Sequence, residues 1–190
     1  MQWLNSQTGY GALTKCLHWL VVLLFAFQYV AASLMLRLTP GERTLGLGQD
    51  DYFNWHKSIG LVALAVAAGR LWSRRAGRLP DWAPQLVTAE RRFIHRAEQV
   101  LYTAMFLMPV SGLLYTMAGG YGVRLFGAVD LPNPIGTWPA LATAARYTHM
   151  AGGALLALTI AGHVVVVLRH QIWLRDGLLF RMLPGKRDGS

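Results

Sequence analysis

Long apolar segments alternate along this chain with short polar connections in which basic residues are frequent. Four of the segments are about as long as the hydrocarbon core of a bilayer requires, which is roughly 20 residues. They are predicted at residues 14–36, 53–73, 97–118 and 147–169. Because a backbone in lipid must satisfy its own hydrogen bonds, each segment is expected to be a helix. The pattern therefore predicts an all-α membrane protein with a four-transmembrane-helix bundle.

The composition agrees with a membrane protein in one compact domain. Of the 190 residues, 54% are hydrophobic and only 14% are charged, and a soluble domain of this length normally carries far more charge. The length predicts a single domain over residues 1–190. The chain has one cysteine, Cys16, so no disulfide can form within it.

The net charge of +9 would also suit a nucleic-acid-binding protein. The basic residues flank the apolar segments, however, so nucleic acid is excluded as a partner and membrane topology explains the charge better. Together with the residues at the adjoining segment ends, the N-terminus, the 74–96 connection and the C-terminal tail carry thirteen of the eighteen basic residues, which predicts both termini in the cytoplasm. The thirteen are Lys15, Arg70, Arg74, Arg75, Arg78, Arg91, Arg92, Arg96, Arg169, Arg175, Arg181, Lys186 and Arg187.

Two longer connections are predicted on the opposite side, at about 37–52 and 119–146. The second is rich in glycine, proline and aromatic residues, and its aromatic residues favour a folded cap on the membrane surface. His95 and His170 lie in basic segments that flank the membrane, so both are expected at the interface. The tail 170–190 is predicted to be a short amphipathic interfacial segment, with apolar residues at Ile172, Trp173, Leu178, Leu179 and Phe180.

Four histidines lie within the apolar segments. His149 and His163 share the fourth segment, fourteen residues apart, which on a helix is roughly 21 Å along the axis and only about 40° around it. That helix therefore carries one histidine toward each side of the membrane on nearly the same face. With the helix directions set by charge, His18 lies at the depth of His163 on the inner side. His56 lies at the depth of His149 on the outer side.

Each depth therefore holds two imidazoles from two different helices. Such a pair can bind the iron of a haem from both faces, as in six-coordinate electron-transfer haems, whereas a small divalent metal usually takes three or four ligands. The prediction is two haems, with His18 and His163 as iron ligands of the inner one and His56 and His149 of the outer one. In the alternative, these histidines only form hydrogen bonds between helices, and the protein has no redox role.

Two cations and two glycines lie at meaningful spacings from these ligands. Arg70 follows His56 by fourteen residues, so it lies on the same helix face near the inner haem, where its guanidinium would suit a propionate. Snorkelling to the cytoplasmic interface explains Arg70 equally. Lys57, next to an outer ligand, is a similar candidate on the other side. Gly60 and Gly153 each follow a ligand by four residues, leaving room for a porphyrin edge or for close helix packing.

Several short motifs, taken in order, resemble those of bacterial cytochrome b561. The likeness covers nearly the whole chain, and the order and spacing of the motifs carry it. At the N-terminus they are GYG and LHWL, in the second segment NWHKSIG and GRLW, and in the third EQVLY and MPVSG. The fourth segment contributes the two histidines fourteen residues apart, followed by LRDGLLFRMLPG.

The resemblance implies a four-helix bundle enclosing two b-type haems in the bacterial inner membrane. It carries the ligand role onto the same four histidines. It also implies electron exchange with a membrane quinone, ubiquinone or another. Two details differ from many relatives: position 98 is Glu98 where some relatives have histidine, and the approach ATAARYTH to the fourth helix lacks their extra histidines.

Two functions remain open under this resemblance. One relative is a superoxide oxidase, which implies a superoxide:quinone oxidoreductase, and Lys57, Arg124 and Arg146 could steer superoxide from the outer side. Alternatively, the chain is a cytochrome b electron-transfer subunit. In that case a periplasmic dehydrogenase or c-type cytochrome docks on the cap and supplies the electrons.

Overall fold

The computed structural model describes residues 2–183, and four long helices make up most of that part of the chain. They are α1 (Ala12–Arg37), α2 (Gln49–Ala76), α3 (Thr88–Ala118) and α4 (Pro139–Leu168). α2 and α3 are longer than the predicted segments because polar turns extend them into the flanks. The predicted cytoplasmic residues Lys186 and Arg187, and the end of the predicted tail, lie outside the described residues.

Local chemistry explains where these helices begin. The Asp51 carboxylate accepts the Gly48 N–H at 2.9 Å ahead of α2, and the Glu90 carboxylate accepts the Val87 N–H at 3.1 Å ahead of α3. Both bonds satisfy donors that a helix start leaves open, and both carboxylates are favoured there by the helix dipole. α4 begins at Pro139, whose missing N–H costs nothing at a first helical position.

Two small hairpins occupy the connections that were predicted to be long. The first pairs β1 (Arg43–Thr44) with β2 (Leu47–Gly48), and the second pairs β3 (Arg124–Leu125) with β4 (Val129–Asp130). The second hairpin falls within the predicted cap, whereas residues 139–146 form the first turns of α4. After α4 come a π-helical turn (Arg169–Leu174) and a 3₁₀ turn (Leu178–Met182).

Within the described residues, three helices are long and apolar enough to cross a membrane: α1, α3, and α4 continued to Leu174. This confirms three of the four predicted spans. The fourth stays a prediction, because the apolar part of α2 is interrupted by Lys57 at one end and Arg70 at the other. Large apolar side chains such as Leu23, Leu158 and Val165 are exposed. A surface of that kind belongs in lipid rather than in water.

The described chain divides into two compact units, each containing part of all four helices. Unit 1 comprises the chain up to Leu20, Val66–Ala104 and the chain from Ala154; unit 2 comprises Val21–Ala65 and Met105–Gly153. The prediction of one domain over residues 1–190 stays a prediction. Small side chains dominate the cores of both units, as close helix packing in membranes requires; they include Ala31, Ala63, Ala67, Ser58, Ser73, Ala97, Ala104 and Ala118.

Candidate haem sites

In unit 1, the structure brings His18 of α1 next to His163 of α4. The centroids of the two rings lie 6.4 Å apart, with an angle of 62° between the ring planes. Trp19 packs edge-on against His18 at 5.5 Å, and its indole N–H donates to the Met182 carbonyl at 2.9 Å. The 3₁₀ turn at the C-terminal side is thereby fastened beside the first ligand.

In unit 2, His56 of α2 and His149 of α4 lie together in the same way, with ring centroids 6.1 Å apart and an interplanar angle of 80°. Two residues of α1 hold the backbones of these ligand helices. The Gln28 amide donates to the His56 carbonyl at 3.0 Å, and the Tyr29 hydroxyl donates to the Gly153 carbonyl at 2.7 Å.

These separations fit an iron atom between the rings. With metal–nitrogen bonds of about 2.0 Å and ring centroids roughly 1.2 Å behind the nitrogens, two imidazoles on one metal have centroids about 6.4 Å apart. The same distance also occurs between aromatic rings in edge contact. The hydrogen-bonding atoms around the rings therefore distinguish a metal site from a simple ring contact. No group of three or more His, Cys, Asp or Glu side chains suited to a metal ion occurs among residues 2–183.

The polar atoms around His149 favour a metal ligand. Its Nδ1 lies 2.9 Å from the Met108 carbonyl and 3.2 Å from the Ser111 hydroxyl. A carbonyl only accepts, so Nδ1 carries the proton and Nε2 is left as the electron-pair donor. Metal-binding histidines usually donate their second ring nitrogen in this way. Gly112 makes the approach possible, since a Cβ there would lie 3.0 Å from the ring.

His56 offers a second sign that a partner is missing from its site. Its Nδ1 is buried and has no hydrogen-bond partner within the described residues. A buried polar atom of this kind costs roughly 1–3 kcal/mol if nothing satisfies it. A haem iron bound to Nδ1 would satisfy this atom, whereas iron bound to Nε2 would leave it unpaired.

Arg70 also has buried donors that await an acceptor. Its Nη2 lies 3.5 Å from His18 Nδ1, and its Nε and Nη1 are buried without a partner among residues 2–183. Its guanidinium lies over the Tyr102 ring at 5.7 Å. Each of these two buried donors can form one hydrogen bond to a carboxylate such as a propionate. Snorkelling, the alternative, would instead place these atoms in water.

Glu98 and Arg74 form an ion pair beside Arg70, and Arg74 lies over the same Tyr102 ring at 5.2 Å. Sequence reasoning noted Glu98 only as a departure from relatives, and it missed this pairing. The polar groups Tyr10, Arg70, Arg74 and Glu98 line a small cavity of unit 1. At position 98, where some relatives have histidine, this chain therefore has a carboxylate that pairs with Arg74.

Lys57 is engaged with the hairpin of unit 2. Its ammonium donates to the Gly122 carbonyl at 3.1 Å, and the next residue, the buried Ser58, accepts the Phe126 N–H at 2.8 Å. Phe126 also packs edge-on against Trp55 at 5.5 Å. An ammonium has three N–H donors, so this contact does not exclude the predicted role of Lys57 toward a haem, which stays a prediction.

Several other predicted features have protein neighbours. A Cβ on Gly60 would lie 3.2 Å from the Gln28 amide nitrogen, and one on Gly153 would lie 3.5 Å from Met108 Cε, so these glycines favour close packing. His170, predicted at the interface, is fully buried. Its Nδ1 lies 2.5 Å from Asp176 and its Nε2 3.3 Å from Glu90, while His95 is exposed.

Comparison with known proteins identifies the family. A family model described as prokaryotic cytochrome b561 matches residues 9–185. Cytochrome b561 homolog 2 of Escherichia coli (strain K12) is 26% identical over 187 residues, which cover 96% of this chain and 95% of that protein. The probable superoxide oxidase CybB of Yersinia pestis is 25% identical over 182 residues, covering 94% of this chain and 97% of that protein.

The match extends over all four helices and both histidine pairs. It agrees with the apolar helices, and it implies b-type haem, iron and oxidoreductase chemistry. The resemblance seen in the sequence motifs is thus confirmed. The chain belongs to the prokaryotic cytochrome b561 family and is an integral membrane b-type cytochrome that acts in electron transfer.

Proposed function

We propose that this chain binds two b-type haems and transfers electrons from a donor on the periplasmic side to a quinone in the bacterial inner membrane. His18 and His163 are the iron ligands of one haem, and His56 and His149 those of the other. The main support is the distance between the ring centroids of each histidine pair, which is 6.4 Å for His18 and His163 and 6.1 Å for His56 and His149. A haem held by two histidines supplies a one-electron redox couple with no open coordination site.

The protein's own residues orient and shield these groups. Ser111 and the Met108 carbonyl hold His149 in one tautomer, and the buried Nε and Nη1 of Arg70 would donate to a haem propionate. All four helices, including α2, cross the membrane, and both termini are cytoplasmic. His56 and His149 then belong to the periplasmic side.

Superoxide is the favoured donor. One relative is named as a probable superoxide oxidase, and oxidation of superoxide to dioxygen releases one electron and no proton. Two such electrons and two protons convert a quinone to a quinol. Of the three cations expected to steer the anion, Arg124 pairs with Asp130 at 3.6 Å and Lys57 binds a carbonyl. Arg146 is exposed and lines an open cavity of about 260 Å³ with Tyr115 and Tyr121.

The second candidate, an electron-transfer subunit, is favoured by the surface of unit 2. Tyr121 is 64% exposed and Trp138 58% exposed, with Phe126 and Val129 also exposed on the hairpin. Aromatic residues are enriched where proteins dock. A redox protein recovered in stoichiometric amount with the purified cytochrome, and able to reduce its haems, would establish this function in place of the first.

The ligand assignment is tested by the haem content of the purified protein. We expect two haems per chain with a bis-histidine spectrum, and His18→Ala and His149→Ala should each remove one. His95→Ala is the matched control, because His95 is exposed and lies 3.3 Å from Gln99 of its own helix, away from both histidine pairs. The proposal is ruled out if the purified wild-type protein is colourless. It is also ruled out if His18→Ala and His149→Ala both keep two haems.

A further inference from the structure

The two histidine pairs differ in what stands behind their ligands. In unit 2, His149 Nδ1 donates to the Met108 carbonyl and contacts the buried Ser111 hydroxyl. In unit 1, His18 Nδ1 faces the guanidinium of Arg70. One ligand thus has electron-rich oxygen atoms behind it, and the other has a positive charge.

We infer that a haem held by His56 and His149 has the lower reduction potential and a haem held by His18 and His163 the higher one. Ser111 and Arg70 are the positioning residues that separate the two potentials. The inference rests on the ligand pairs proposed above, and it assigns to each pair a preferred oxidation state.

Hydrogen bonding produces the lower potential in unit 2. When Nδ1–H of His149 donates to a carbonyl, Nε2 gains electron density and becomes a stronger donor to a metal. Ferric iron has one more positive charge than ferrous iron and gains more from that donation. The Ser111 hydroxyl contacts both Nδ1 and the Met108 carbonyl, at 3.2 and 3.1 Å, so it fixes the geometry of this bond.

Charge produces the higher potential in unit 1. A guanidinium close to a ligand disfavours the ferric state, and the effect is strong where burial lowers the local dielectric constant. Nε and Nη1 of Arg70 are buried. Arg74 is already paired with Glu98, so Arg70 is the cation of this group of three that has no carboxylate partner among the described side chains. A propionate on Arg70 does not reverse the argument, since removing the cation would then leave an unbalanced anion.

Two other determinants of potential, the identity and the exposure of the axial ligands, are similar in the two units. Both pairs consist of two imidazoles, so the identity of the axial ligands does not separate them. All four histidines are half-buried, so exposure of the ligands does not separate them either. The contacts of His149 and His18 are what distinguish the pairs.

The test is a spectroelectrochemical titration of the purified holoprotein, in which His18→Ala identifies the wave of the unit 1 haem by its loss. Arg70→Gln should lower the midpoint potential of the unit 1 haem by about 59 mV, which is a tenfold change in the equilibrium constant of a one-electron couple. The midpoint potential of the unit 2 haem should not change. Arg70→Lys keeps the charge and should restore most of the shift. Arg75→Gln removes an exposed arginine from the same helix and should move neither wave.

Ser111→Ala tests the other half of the inference. It should raise the midpoint potential of the unit 2 haem and leave that of the unit 1 haem unchanged. Its control is Thr159→Ala, which deletes an exposed hydroxyl that bonds to the Leu155 carbonyl of its own helix. If the wave lost in His18→Ala is the lower one, or if Arg70→Gln keeps both haems and shifts nothing, the inference is overturned. Failure of the ligand assignment is distinguishable, because His18→Ala would then retain both haems.

Discussion

Gly112 leaves space at the point where α3 passes the imidazole of His149. A Cβ at this position would lie 3.0 Å from Cε1 and 3.2 Å from Nδ1 of that ring. We therefore expect Gly112→Ala to displace the ring from its oxygen acceptors and to reduce the haem content from two per chain toward one. Overpacking of this kind costs about 1–3 kcal/mol, so the Tm of the purified protein should also fall.

The matched control for this substitution is Gly69→Ala on α2. A Cβ at Gly69 would meet nothing within 4 Å, and alanine is favoured over glycine in a helix by about 1 kcal/mol. This variant should keep both haems and a Tm at or above that of the wild type. Equal haem content and equal Tm in the Gly112 and Gly69 variants would show that the ring tolerates the added methyl group.

The hairpin β3–β4 depends on one buried hydroxyl of α2. Ser58 is completely buried and accepts the Phe126 N–H, and loss of the acceptor would leave that donor unsatisfied at a cost of about 1–3 kcal/mol. Ser58→Ala should accelerate amide hydrogen exchange over residues 124–130 while haem content is unchanged. Thr159→Ala serves as control, and unchanged exchange in the Ser58 variant would mean that Lys57 and the ring contacts suffice.

The turns after α4 depend on the buried His170 and its two carboxylates. Asp176 contacts His170 Nδ1 and also accepts the Leu178 N–H at 3.1 Å, so it ties the π-helical turn to the 3₁₀ turn. Replacing the carboxylate by a neutral amide weakens this buried contact, at a cost of about 1–3 kcal/mol. We expect Asp176→Asn to lower the Tm and to speed tryptic cleavage after Arg175 and Arg181.

Asp81→Asn removes an exposed carboxylate from the same unit and should leave both the Tm and the cleavage rate unchanged. Should Asp176→Asn behave like this control, neutral hydrogen bonds hold the turns and the charge of Asp176 is dispensable. The sequence placed His170 in a basic flank and gave no sign of its burial, because Glu90 lies eighty residues away in the chain.

The pairing of the histidines could be expected from the sequence, whereas their supporting contacts could not. Spacing and charge bias set the depth of each histidine, because the helix period and the thickness of a bilayer are fixed lengths. The contacts of Ser111, Gly112 and Glu98 depend on how α3 is rotated about its axis. From Ala104 onward, α3 has apolar residues around its whole circumference, interrupted by Ser111, Tyr115 and Thr116, so its apolar pattern does not indicate which face meets α4.

The whole molecule has a net charge of +9, but its cations differ in how strongly they can attract a small anion. Arg124 is partly neutralised by Asp130, whereas Arg146 is exposed beside the cavity formed with Tyr115 and Tyr121. A positive charge at such a mouth raises the rate of encounter with an anion, and salt screens the effect over about 10 Å at 0.1 M.

Arg146→Gln should therefore slow reduction of the haems by superoxide severalfold at low ionic strength, as followed by stopped-flow absorption at the haem bands. Above about 0.5 M salt the variant and the wild type should converge, because the screening length then falls to a few Å. Arg124→Gln is the matched control and should have a smaller effect, since its charge is already paired. If Arg146→Gln and Arg124→Gln are reduced by superoxide at the same rate as each other at every salt concentration, Arg146 does not steer the donor. If the wild type itself is not reduced by superoxide, the donor belongs to another class, and a docked redox protein becomes the favoured one.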